Sequence, residues 1–141
     1  MKTLLFAAAA FAALLSCCVI KSNNPVLEGS EWVNVEEMFV ADAGTMTITH
    51  SLKFTGSKDV TVGWKSYLPA HPAMYVNSDG KVDVIPASES EFFKKGSYVF
   101  KKGILKITVE DDTVLEYRFQ DGNLFAKTPP DGKVFSRAIE Y

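Results

Sequence analysis

From Thr45 to Phe54 the chain alternates without a break, with Met46, Ile48, His50, Leu52 and Phe54 on one side and Thr45, Thr47, Thr49, Ser51 and Lys53 on the other. Successive side chains of a strand point to opposite faces, so this period of two predicts a strand with one buried and one solvated face. Threonine on the polar side suits a half-solvated pleat. The same pattern returns in Leu105, Ile107 and Val109, set against Lys106, Thr108 and Glu110, and in Leu115, Tyr117 and Phe119, set against Glu116, Arg118 and Gln120. No stretch keeps helical spacing for more than two turns. The reading is therefore all-β.

Turn residues divide the rest into short strands. Asp111-Asp112 predicts a tight hairpin, Asp121-Gly122 leads into a strand from Asn123 to Lys127, and Pro129-Pro130-Asp131-Gly132 leads into a last strand from Lys133 to Ile139. Earlier strands are expected from Trp32 to Phe39 and from Val60 to Leu68. The stretch from Pro69 to Ser90 carries three prolines and predicts only short strands, at Ala73 to Val76 and Lys81 to Ile85. Lys94-Lys95-Gly96 and Lys101-Lys102-Gly103 are read as turns bracketing a strand from Ser97 to Lys101. Eight or nine strands with hairpin-short connections predict an antiparallel up-and-down meander closed into a small barrel, because closure removes the exposed edges of an open sheet.

The N-terminus follows different rules. Met1-Lys2-Thr3 is a short positive start, Leu4 to Leu15 is unbroken apolar sequence, and the small Ser16 follows. This is the order of a secretory signal, too short to span about 30 Å of hydrocarbon, which takes roughly 20 residues. Both cysteines, Cys17 and Cys18, come directly after it. Neighbours on a trans chain sit about 3.8 Å apart, closer than disulfide geometry allows, so they do not staple the domain. Leu14-Leu15-Ser16-Cys17 resembles the lipobox of bacterial lipoproteins. That resemblance implies cleavage after Ser16, acyl chains on Cys17 and anchorage in a membrane, and with no Asp after Cys17 it implies an outer-membrane, periplasm-facing place in the cell envelope. The expected division is a signal over 1–16, a lipidated N-terminus and tether over 17–28 and a barrel domain over 29–141.

Leu27-Glu28-Gly29-Ser30-Glu31-Trp32, leading into the first strand and followed by a meander, is similar to the lipocalin-like (calycin) lipoproteins of Bacteroidetes. In that group Trp32 would close the base of the barrel, and the implied role is binding a small apolar or amphipathic ligand. Met46, Ile48, His50, Leu52, Phe54, Trp64 and Tyr117 are the expected lining residues. His50 draws most interest, as a ring nitrogen on an otherwise apolar face would bond a ligand's polar end; the plainer reading is a neutral histidine in the core or at the barrel mouth. The alternative function is a filled barrel that serves as an interaction module for an envelope protein, including inhibitor-type roles, with Glu31, Glu36, Glu37 and Asp42 available to a basic partner.

Other functions lose their warrant. Of 141 residues, 15 are Lys or Arg and 17 are Asp or Glu, which leaves no positive excess to hold a nucleic-acid backbone. The 47 % apolar share partly belongs to the signal, and cleavage would remove Lys2 and leave the rest more acidic. With two histidines and no cysteine in the folded part, a zinc site has few donors, and Glu110-Asp111-Asp112 lacks the spacing of a calcium loop. No nucleophile elbow, His-Glu-x-x-His or phosphate-cradling loop occurs. No enzyme activity, cofactor or metal is expected.

Overall fold

The computed structural model describes residues 25–127 and 132–139. The signal, Cys17, most of the tether and the Pro129-Pro130 turn lie outside the described residues. Ten strands are described: β1 (Glu31–Val40), β2 (Gly44–Phe54), β3 (Asp59–Leu68), β4 (His71–Val76), β5 (Val82–Ile85), β6 (Ser88–Lys101), β7 (Ile104–Val109), β8 (Val114–Gln120), β9 (Asn123–Ala126) and β10 (Val134–Arg137). Eight close into an antiparallel barrel in the order β1-β10-β9-β8-β7-β6-β3-β2. The meander expected from the alternation is present, with one interruption: β4 and β5 leave it as a separate two-stranded sheet between β3 and β6.

Tight turns set the register. Lys102-Gly103 and Asp121-Gly122 both adopt positive φ at each position, with φ of 52° and 75° in the first and 53° and 80° in the second. Such turns carry the right-handed twist of the flanking strands, and glycine at the second position takes that conformation without steric cost.

One end of the barrel is packed solid. Trp32, Leu52, Phe54, Val60, Leu105, Ile107, Tyr117, Leu124 and Phe135 are all buried in one cluster. Edge-to-face aromatic pairs run through it, Phe54 against Tyr98 at 4.8 Å and Tyr117 against Phe135 at 5.5 Å between centroids. The base is sealed from outside by Leu27, itself 4 % exposed. Backbone bonds fix this plug, from the Gly29 amide to the Phe54 carbonyl at 2.8 Å and from the Ser30 amide to the Leu27 carbonyl at 2.9 Å. Trp32 lies above it at 2 % exposure and donates its indole N–H to Ser30 Oγ at 2.9 Å, so the large ring is buried without an unmet polar group. The packed fold thus includes Leu27, within the stretch expected to be tether.

The other end is open, because the strands differ in length. β6 runs for 14 residues but only its lower part, from Gly96, pairs with β7, and β1 pairs with β10 only at Trp32 and Val33. Above that level β1, β2, β3 and β6 continue as a four-stranded sheet with two free edges. Lys94-Lys95-Gly96 is consequently not a turn, as the sequence suggested, but the middle of β6. Gly96 is there because β7 crosses close by: a Cβ would sit 2.7 Å from the Thr108 carbonyl oxygen.

Candidate functional site at the open half of the barrel

Directly paired residues of neighbouring strands share a face, so the pairing shows what points inward. Trp32, Leu52, Val62 and Lys94 form one inner row, and Asn34, His50, Trp64 and Phe92 form the row above it. The lower row belongs mostly to the packed base. From Lys94 and the upper row onward the interior turns polar and aromatic.

Two adjoining hollows occupy this level. One, of about 150 Å³, is lined by His50, Leu52, Val62, Leu115, Tyr117 and Lys133 among others. The second, of about 240 Å³, is lined by His50, Val62, Trp64, Phe92, Lys94 and Leu115 among others. His50, Val62, Gly63 and Leu115 border both, so they are lobes of one open depression above the core. Its walls are apolar and aromatic with a few convergent polar groups, which is the usual make-up of a small-molecule site, though each lobe is smaller than the roughly 300 Å³ at which such sites begin. A larger hollow of about 510 Å³ lies outside the base, between Gly29, Lys53, Phe54, Arg137 and Ile139, and does not enter the barrel.

The polar groups at the depression are mutually neutralised. Lys133 donates to Glu36 Oε1, and the Lys133 side chain is only 14 % exposed. Hydrogen bonding and charge from Lys133 hold the Glu36 carboxyl below its ordinary value of 4.5. His50 Nε2 lies 3.9 Å from Glu36 Oε2, and yet burial, aided by the Lys133 charge, keeps the imidazole below its ordinary 6.5. His50 is therefore neutral at pH 7. Lys94 is paired with Asp111 and lies 5.5 Å over the Phe92 ring. Burial pushes the Tyr117 hydroxyl up to about 12, so it stays protonated. The depression thus presents balanced charge to whatever enters it.

Of the residues singled out from the sequence, His50, Leu52, Trp64 and Tyr117 come together at this depression. Phe54 lies in the sealed base at 1 % exposure, and Met46 and Ile48 sit higher on the inner side of the projecting sheet. Glu36, Lys133, Lys94, Phe92 and Leu115 were not singled out for the site. Alternation would have placed Leu115 inward beside Tyr117, but the Lys133–Glu36 pair spans 97 positions and has no local signal. The four acids Glu31, Glu36, Glu37 and Asp42 do not form one patch, since Glu36 pairs inside the barrel with Lys133 while Glu37 takes the opposite face of the strand. Among the described residues no three His, Cys, Asp or Glu side chains gather as a metal site.

Comparison of this chain with protein-family models, with curated proteins and with solved structures finds no match.

Proposed function

We propose that the domain binds a small, uncharged amphipathic molecule in the open half of its barrel, and that acyl chains on Cys17 hold it in the cell envelope, at the outer membrane facing the periplasm. The observation that carries the ligand reading is the two-lobed depression, where Val62, Trp64, Phe92, Leu115 and Tyr117 wall an apolar space beside an already neutralised set of His50, Glu36, Lys133 and Lys94. An apolar body would displace water from the walls, at about 25 cal/mol per Å² removed from water, and a polar head would remain at the rim. A charged head has no unpaired counter-ion waiting for it. The role is one of binding, without catalysis.

Mass spectrometry of the protein purified natively tests both parts. Acyl chains on Cys17 and a copurifying amphiphile are expected, and Leu115→Trp, which fills the space between the lobes, is expected to expel the amphiphile while the fold is kept. A wild-type protein empty by this measure, or a compound retained unchanged by Leu115→Trp, would overturn the ligand reading.

A second reading, an interaction module for an envelope protein, is favoured by the β4–β5 hairpin. Met74, Tyr75 and Val84 there are 80 %, 70 % and 70 % exposed, an unusual density of apolar side chains on a projecting element. Photo-crosslinking from position 75 in whole cells is the test, and a single specific adduct is expected on this reading.

A further inference from the structure

The strand directions place the start of β1, the β2–β3 turn, the β6–β7 turn, the β8–β9 turn and the end of β10 at the closed base. Among the described residues, that end carries Lys53, Lys58, Lys101, Lys102, Arg118 and Arg137, against Glu28, Glu31, Asp59 and Asp121. The rest of the described domain has more carboxylates than cations. The difference in pairing is sharper still. Every ion pair of a lysine or arginine among the described residues uses a cation away from the base, namely Lys65, Lys94, Lys106, Lys127 or Lys133, and none of the six basal cations has a carboxylate within 4.0 Å.

We infer that the closed base is a membrane-facing surface whose six unpaired cations sit against anionic lipid headgroups. Three observations converge on a lipid surface. The charge is complementary to it and polarised along the barrel, so one end is attracted while the other is repelled. The chain enters the fold at this same end, through Leu27 and Gly29, and the ten residue-to-residue steps from Cys17 to Leu27 reach at most about 35 Å. Beside Arg137, Ile139 is 72 % exposed and offers an apolar contact at the rim. The inference rests on the membrane-tethered reading for bringing the domain to the bilayer, but the charge distribution belongs to the folded domain itself. Its consequence is orientation: the ligand depression and the β4–β5 hairpin point away from the membrane.

Amine acetylation, read lysine by lysine by mass spectrometry, tests this on the natively purified protein reconstituted in vesicles. Phosphatidylcholine vesicles are compared with vesicles that also contain phosphatidylglycerol. On the anionic vesicles, modification of Lys53, Lys58, Lys101 and Lys102 is expected to slow at least about threefold, with Lys81 in the hairpin unchanged, and about 0.5 M salt is expected to abolish the difference. Lys101→Glu with Lys102→Glu, at an exposed turn, is expected to remove the protection at Lys53 and Lys58. Equal modification on both lipids, or protection of Lys81 to the same degree, overturns the inference while leaving the anchor intact. If the mass shows no acyl chains, the tethered reading falls, and flotation of the same protein with the anionic vesicles decides the inference: binding that salt reverses supports it, and absence of binding overturns it.

Discussion

His50 shows how one residue's surroundings decide its behaviour. Desolvation and the nearby Lys133 charge favour the neutral ring in the folded state, and the opposing pull of Glu36 is weaker. Unfolding releases the ring to its ordinary 6.5, so in the interval just below that value the unfolded chain binds a proton that the folded chain does not. Stability from this group is therefore complete above 6.5 and declines as pH falls through the interval, whereas the Glu36 contribution is retained until below 4.5. Urea midpoints measured between about pH 7.5 and pH 5 are expected to fall toward the acid side, and His50→Gln is expected to flatten that decline. A different local constraint acts at Gly96. Gly96→Ala forces a methyl to 2.7 Å from the Thr108 carbonyl oxygen, which must be relieved by separating β6 from β7. A loss of about 1–3 kcal/mol in unfolding free energy is expected, as for other overpacked interiors.

At the scale of elements, the sequence displayed its strands most sharply where one face is buried, although the wholly exposed β5 was also expected, from its turn residues. β7, β8 and the end of β2 alternate plainly because they line the packed base, and all three strands were legible almost to the residue. The upper part of β6 was not, since Phe92 and Phe93 are each 54 % exposed and Lys94 and Lys95 follow them. Each face there receives one aromatic and one lysine, and period two leaves no trace. For the same reason His50, Leu52 and Tyr117 could be named from alternation, and Trp64 as an aromatic, while the charge pairing that neutralises the depression could not. The β4–β5 hairpin is separable from this framework. Leu68 pairs directly with Ser88 across β3 and β6, so a two-residue Asn-Gly turn has the geometry to join them in place of residues 69–87. Only Ala73 is buried in the excised stretch, and the unfolding free energy is expected to change by no more than about 1 kcal/mol. If the hairpin serves a protein partner, an excess of the hairpin-deleted domain leaves the adduct formed from position 75 of the intact protein undiminished, whereas an excess of the intact domain competes it away.

Across the whole molecule, stability should be graded along the barrel axis, with consequences for binding. Every strand of the base has neighbours on both sides and shares one apolar cluster, so its backbone opens only with the entire fold. The upper parts of β1 and β6 each have a neighbour on one side only, and β4–β5 is a two-stranded sheet outside the barrel. Local opening there breaks few contacts. Amide hydrogen exchange is expected to be slowest at Leu52, Leu105, Ile107 and Leu124, and at least about 100-fold faster along β4, β5 and the free upper edges. A ligand seated between Trp64, Phe92 and Leu115 would tie the soft upper sheet to the rigid lower barrel. Its binding is then expected to slow exchange in upper β3 and β6 in proportion to its occupancy, while the base stays at its own limit until the global stability rises. Uniform protection from base to rim in the ligand-free protein would mean that the open half is held as firmly as the core, and that the depression is a fixed gap in a rigid wall.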